Sequence, residues 1–281
     1  MSVFLEDALR DGKKALREVG IDSWAIDGDV LMVHALGIRK ESLITENRRV
    51  LSVGELELFS SYIKKRQKLM PIAYITNHVE FMSLDFFVDE RVLIPRPDTE
   101  ILVEAAIEHI RKSGAKTVLD MCCGSGAIAI SIAHYCPQVE VSAVDISRAA
   151  LDVAQKNADK NGVRVNFIQS DMFENIENKF DIIISNPPYI SGQEMTELSD
   201  NVSKYEPHLA LFGGEDGLEF YRRLSKAGKY LNETSVIIIE IGAYQKNDIV
   251  EIFRKTGFCL HLAFKDLGGL DRTLIFGENI K

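Results

Sequence analysis

Beyond Gly114, short apolar runs alternate with longer amphipathic segments. The runs predict strands at Thr117 to Met121, Glu140 to Val144, Val165 to Ile168, Phe180 to Ile184 and Val236 to Ile241, with two last short strands around Leu260 and Leu274. Between them the spacing predicts helices from Ser125, over Ser147 to Lys160, near Leu218 to Tyr230, and over Gln245 to Lys255. Such β/α alternation implies an α/β fold with a doubly wound, largely parallel sheet.

The first part of the chain has a different period. From Val3 to about Arg66, apolar residues recur at helical spacing: Phe4, Leu5 and Ala8, then Ala15 and Leu16, later Leu56, Phe59, Tyr62 and Ile63. Pro71 follows the basic stretch Lys64-Lys65-Arg66-Gln67-Lys68, which reads as a helix end with a solvated face. Residues 72–94 are dense in β-branched and aromatic side chains in short alternating runs, the pattern of a β-hairpin. The prolines of Ile94-Pro95-Arg96-Pro97 force an extended path, and Thr99 reads as the cap of a helix from Glu100 to Lys112. The expected organisation is a small helical domain at 1–70, a hairpin linker at 71–98 and an α/β domain at 99–281.

Composition narrows the function classes. With 46% hydrophobic and 27% charged residues, the 281-residue chain reads as globular. No apolar run reaches the length of a membrane span, and Glu6, Asp7 and Arg10 stand where a signal peptide would be apolar, so the expected location is cytoplasmic, with no membrane partner. Cys122, Cys123, Cys136 and Cys259 lack the paired spacing of zinc or redox sites, and no metal is expected. A net charge of −9 disfavours a protein that holds long nucleic acid by neutralising phosphates, so nucleic acid is an unfavoured direct substrate.

Candidate chemistry collects at the predicted strand ends. Asp120-Met121-Cys122-Cys123-Gly124-Ser125-Gly126 runs from a strand into a small-residue turn and then a helix, where backbone N–H groups can meet a polar ligand; small residues there also serve tight helix packing. Asp145 ends the next strand 25 residues after Asp120, near the spacing of an acidic residue that holds ribose hydroxyls, although a helix-capping role is open to it. Asp171 and Met172 close the third strand, where they can meet an adenine amine and ring or form a solvated loop. Ala127 follows Gly126 and no third glycine stands in place, so dinucleotide binding is the weaker reading.

The fourth strand ends in Asn186-Pro187-Pro188-Tyr189. Two prolines stiffen the backbone and remove donors, leaving an acceptor wall. The Asn186 side-chain oxygen and the Pro187 carbonyl can accept both N–H bonds of a planar amide or amine while Tyr189 stacks on it, which outweighs a purely structural turn. A nitrogen aimed this way at a methyl sulfonium needs neither metal nor strong base, because near-attack placement can supply roughly 7–11 kcal/mol.

At these residues the chain resembles the class I S-adenosylmethionine methyltransferases, and specifically the bacterial family that methylates the glutamine of peptide chain release factors (the HemK/PrmC family). The resemblance also rests on Pro71-Ile72-Ala73-Tyr74-Ile75, Leu93-Ile94-Pro95-Arg96-Pro97-Asp98-Thr99-Glu100, and Tyr205-Glu206-Pro207 followed by Gly213-Gly214-Glu215-Asp216-Gly217-Leu218. It implies a Rossmann-like, seven-stranded sheet, S-adenosyl-L-methionine as cofactor and a release factor as partner, gripped by the helical N-terminal domain. It implies a cofactor site of Asp120, Cys122, Cys123, Gly124, Ser125, Gly126, Asp145, Met172, Asn186 and Arg96. Asn186, Pro187 and Tyr189 would be catalytic, and with Pro188 and Phe81 would bind the substrate glutamine. The chain departs from the pattern at Cys122 and Asn77, where glycine is usual. Alternatives are methylation of an adenine or guanine exocyclic amine, of another protein or a metabolite, and a non-catalytic scaffold, which the intact Asn186 opposes.

Overall fold

The computed structural model describes residues 3–278. The chain forms two compact units, Met1–Asn77 with Asp200–Tyr205, and His78–Ser199 with Glu206–Lys281. In the first, helices Leu5–Glu18, Trp24–Leu36 and Val53–Gln67 enclose a core of Leu5, Leu16, Leu31, Met32, Phe59 and Ile63. The third helix starts with a reciprocal cap in which the Ser52 hydroxyl accepts from the Glu55 N–H at 3.3 Å and the Glu55 carboxylate from the Ser52 N–H at 2.8 Å. Its basic end is not wholly a solvated face, because Arg66 turns inward to Asp27 at 2.7 Å.

The expected hairpin is shorter than its composition suggested. Pro71 starts the short helix Ile72–Thr76, which Asn77 closes at φ 53°, so this departure from glycine keeps the left-handed cap that asparagine tolerates. Only β1 (Val79–Phe81) and β2 (Leu84–Phe86) pair, antiparallel, with Phe81 opposite Leu84. Met82 and Ser83 both have positive φ, the conformation of a type I′ turn that normally takes asparagine and glycine. Tertiary bonds offset the poor turn chemistry: the Met82 N–H donates to Glu100 at 2.6 Å and its carbonyl accepts from the Tyr135 hydroxyl at 2.6 Å.

The second unit is built on seven strands: β3 (Thr117–Met121), β4 (Glu140–Asp145), β5 (Asn166–Gln169), β6 (Phe180–Ser185), β7 (Leu231–Glu240), β8 (Phe258–Lys265) and β9 (Asp271–Glu278). Their order is β5-β4-β3-β6-β7-β9-β8, parallel from β5 to β7, with β9 antiparallel to β7 and β8 antiparallel to β9. Separate apolar clusters cover the two faces, which is why the central strands read as continuous apolar runs. Chain order reverses between β3 and β6, the switch point at which open α/β sheets bind ligands.

The structure departs from the sequence expectation at three places. Thr99 caps nothing: the helix is Asp98–Ser113, preceded by Pro97, and Thr99 is buried within its first turn. The helix expected near Leu218 to Tyr230 is broken into Glu219–Leu224 and a 3-10 turn at Ala227–Tyr230. Strand β7 begins at Leu231 and carries an irregularity opposite Phe180 and Ile182, with Thr234 at φ 64°.

A buried side chain holds the β3 turn against the chain that follows the hairpin. Asn157, fully buried in the helix Arg148–Lys160, donates to the Phe87 and Ser125 carbonyls at 3.0 and 2.9 Å and accepts from the Phe87 N–H at 2.7 Å. Asn157→Ala is expected to lower the unfolding free energy by about 2–4 kcal/mol, since each buried group left unpaired costs about 1–3 kcal/mol. Urea denaturation would show this as a lower midpoint at unchanged m-value.

Candidate active site

The β3–helix turn is shaped by backbone angles that only some residues accept. Gly124 and Gly126 take φ of 54° and 79°, and between β3 and the helix Ala127–Tyr135 the chain also passes through Cys122 at φ 63°. Cys122 thus keeps the left-handed path that glycine would take, at a strain cost of about 1–2 kcal/mol. At Gly126 an added Cβ would lie 3.0 Å from the Ala154 Cβ, so helix packing also demands glycine there. At Gly124, which lines the switch-point cavity, an added Cβ would meet nothing within 4 Å.

Asp145, at the end of β4, joins this turn to the next helix: one carboxylate oxygen accepts from the Gly124 N–H at 2.8 Å, the other from the Ser147 N–H at 2.9 Å. The helix cap itself is Ser147, whose hydroxyl accepts from the Ala150 N–H at 3.2 Å. Burial raises the Asp145 carboxyl pKa, partly opposed by these N–H bonds. A carboxylate offers about four acceptor positions, so capacity remains for a ligand hydroxyl beside the backbone N–H groups of Gly124, Ile146 and Ser147.

A cavity of about 280 Å³ lies over the switch point, lined by Arg91 to Leu93, Met121, Cys122, Gly124, Val144 to Ser147, Ser170 to Met172, Asn186, Pro188, Pro207 and Phe220, among others. Met172, buried at φ 53°, places its sulfur 3.9 Å from the Cys122 sulfur. Asp171 is less free than its loop position suggested, because Arg223 holds it at 2.6 Å. Burial pushes the Cys122 and Cys123 thiols up, so both are unreactive thiols rather than thiolates.

Of the residues singled out from sequence, Cys122, Gly124, Asp145, Met172, Asn186 and Pro188 meet at this cavity, whereas Asp120, Cys123, Ser125, Gly126, Pro187, Tyr189, Phe81 and Arg96 do not line it. Asp120 is buried beneath the turn and accepts from the Ala129 N–H at 3.1 Å; burial raises its pKa. Phe81 packs in the core against Phe86, with ring centres 6.1 Å apart. Arg96 pairs with the buried carboxylate of Glu206, which also accepts from the Ile94 N–H at 3.4 Å and whose pKa burial raises against the pull of Arg96.

The Asn186-Pro187-Pro188-Tyr189 segment leaves β6 under several restraints. The Ser185 hydroxyl donates to the Met121 carbonyl at 2.6 Å, and the Asn186 amide donates to the Thr99 hydroxyl at 3.1 Å. Gln245 donates to the Tyr189 carbonyl at 2.9 Å, and a Cβ on Gly213 would come within 2.7 Å of the Pro188 carbonyl oxygen. Tyr189 is half-buried, and its phenol is pushed up to about 12 by burial and the nearby Glu240 charge, so it is neutral at ordinary pH. Sequence reading missed Thr99, Arg223 and Glu240 here; Glu240 left one signal, an acidic residue inside the apolar run Val236 to Ile241.

The sheet order, the switch-point cavity and a strand-end Asn-Pro-Pro-Tyr define a class I S-adenosylmethionine-dependent methyltransferase. The fold matches a methyltransferase from Pyrococcus furiosus at a TM-score of 0.51 and 21% identity, over 69% of this chain and 88% of that one. Family models described as Methyltransferase small domain and PrmC N-terminal domain match residues 98–204 and 7–76. A release factor glutamine methyltransferase from Clostridium acetobutylicum is 42% identical over 96% of this chain and 97% of its own, and one from Geobacter sulfurreducens 38% identical over 92% and 91%. The chain belongs to the release factor glutamine methyltransferase family.

The residues present fit the methyl donor of that class: a turn lined by Cys122 and Gly124, a carboxylate with spare acceptor positions, and an apolar wall at Met172 and Val144. Cys122→Gly should keep cofactor affinity within about threefold, whereas Cys122→Val, β-branched at a left-handed position, should weaken it about tenfold or more. Calorimetric titration with S-adenosylmethionine measures both, and equal affinities would show that the turn's path does not set binding.

Proposed function

We propose that the protein transfers a methyl group from S-adenosylmethionine to the side-chain amide nitrogen of the glutamine in the Gly-Gly-Gln motif of a peptide chain release factor. The observation that carries this reading is the Asn186 amide, whose NH₂ donates to the Thr99 hydroxyl at 3.1 Å while the residue lines the cavity beside Pro188, so that in this reading its oxygen is the acceptor offered to a substrate. In this reading the glutamine amide donates one N–H to the Asn186 oxygen and the other to the Pro187 carbonyl, while Tyr189 stacks on the amide plane, Pro187 and Tyr189 flanking the cavity-lining Pro188 rather than lining the cavity themselves.

The bound cofactor supplies an electrophilic methyl on a sulfonium. The protein's part is placement: an amide nitrogen is a weak nucleophile, and acceptors on both N–H bonds raise its electron density while fixing its aim. Held beside Asp145 and the turn at residues 122–126, S-adenosylmethionine would supply its methyl to this nitrogen and leave as the neutral thioether, and one amide proton would pass to water. The neutral Tyr189 phenol adds no charge beside the reacting centre. Membership of the family supports this substrate class, as does the net charge of −9, which disfavours a nucleic-acid substrate. Among the described residues no helix is long and apolar enough to cross a membrane.

The test is transfer of labelled methyl to a purified release factor, to the same factor with its Gly-Gly-Gln glutamine replaced, and to bulk DNA or RNA. Label confined to the intact factor is expected; label on nucleic acid would replace the reading with methylation of an exocyclic amine. Asn186→Ala should leave cofactor affinity within about twofold and cut transfer about 10²-fold or more, the scale of losing one well-placed polar group. Undiminished transfer would end the proposed role of the tetrapeptide.

A further inference from the structure

An asparagine amide has two ends of nearly equal shape and opposite chemistry. Turned one way, Asn186 offers an acceptor to a substrate N–H; turned the other, it offers a donor that repels it. Nothing in the Asn-Pro-Pro-Tyr segment itself sets this choice. The neighbouring strand does. In the parallel pairing of β6 and β7, Ser185 lies opposite Ile239, so the next residues, Asn186 and Glu240, stand side by side at the sheet edge.

Glu240 is 2% exposed, and its Oε2 has no hydrogen-bond partner among the described residues. Thr99 and Asn186 are its hydrogen-bonding neighbours, Arg272 on β9 attracts it, and Asp98, at the start of the helix that carries Thr99, repels it. Tyr189 lies close enough to feel its charge, and the Tyr221 hydroxyl donates to its backbone carbonyl at 3.0 Å.

We propose that Glu240, working through the Thr99 hydroxyl, is a positioning residue that fixes the orientation of the Asn186 amide, NH₂ inward and oxygen toward the cavity. Donors and acceptors decide the orientation, and the role assigned to it rests on the reading of Asn186 as the substrate's acceptor. Above about pH 7 the Glu240 carboxylate is ionised and only accepts. A hydroxyl that gives its single proton to that carboxylate can only accept elsewhere, and the partner it meets at 3.1 Å is the Asn186 nitrogen. Rotating the amide by half a turn would set its oxygen against the carboxylate and the hydroxyl lone pairs together. The arrangement carries a stability cost: burial pushes Glu240 up to about 7 from its ordinary 4.5. The folded state therefore holds this proton more tightly than the unfolded one, and the group's stabilising contribution is fully present below pH 4.5 and lost as pH rises through about 7.

The experiment uses the full chain with S-adenosylmethionine and a release factor, and compares Thr99→Val, Thr99→Ser, Glu240→Gln and Asn186→Ala. Thr99→Val is expected to lower kcat about 10–100-fold, the scale of a misplaced reacting group, with cofactor affinity unchanged, and Thr99→Ser to restore most of it. Glu240→Gln, which can donate to the Asn186 oxygen, should lower kcat yet raise Tm at pH 8 more than at pH 5. Loss of kcat and Tm together in Glu240→Gln would assign the residue to the fold alone and overturn the proposal. So would Thr99→Val and Glu240→Gln that both keep kcat within twofold while Asn186→Ala abolishes transfer. Full activity in Asn186→Ala would instead overturn the reading of Asn186 itself.

Discussion

Parallel pairing of β4, β3, β6 and β7 is the constraint on which the site depends. Parallel strands present their carboxyl ends at one edge, so Asp145, Cys122, Asn186 and Glu240 converge although nearly 120 residues of chain separate the first of them from the last. The register fixes the detail. Met121 lies opposite both Val144 and Ser185, and Ser185 opposite Ile239, so four chains leave the sheet at the same level. Apolar clusters on both faces hold that register, since a slip of one residue would turn each strand's side chains to the opposite face.

The same edge carries departures from the rules of a stable fold, as the hairpin turn at Met82-Ser83 and Thr234 on β7 do elsewhere. Cys122 and Met172 stand at positive φ, and Asp120 and Glu240 are buried with an oxygen lacking a partner among the described residues. Each costs on the order of 1–3 kcal/mol, which a core of this size can carry. Strained backbone and buried polar groups beside one cavity suit a site that works by placement, because relaxed side chains would not hold a weak nucleophile on one line of approach.

Much of this was legible in the chain. The five parallel strands, their helices and the strand-end residues follow from period and punctuation, since both signals are local. What escaped has a common physical cause: it is tertiary. Thr99 carries the signature of a helix cap, and only the packing of Asp98–Ser113 against the sheet turns it toward Asn186. The run from Ile72 to Thr76 is β-branched and aromatic, yet Pro71 and Asn77 close it into a helical turn. Met82-Ser83 is poor turn chemistry that Glu100 and Tyr135 make tenable from elsewhere in the chain. Phe81 packs into the core and Arg96 pairs with Glu206, contacts that no local sequence signal announces.

Cys122 shows why a motif is better read as a backbone path than as a string of letters. Glycine is usual there because the turn needs a left-handed residue, and the chain still follows that path with a thiol in its place. The substituent does not point into empty space: its sulfur lies 3.9 Å from that of Met172, itself left-handed, so two strained residues from different strands pack on each other at the cavity wall. Dispersion between two polarisable sulfurs returns part of what the backbone loses. The two positions are therefore coupled, and relief of strain at one alone removes the contact that supports the other, which explains how the departure from glycine is compatible with an intact turn.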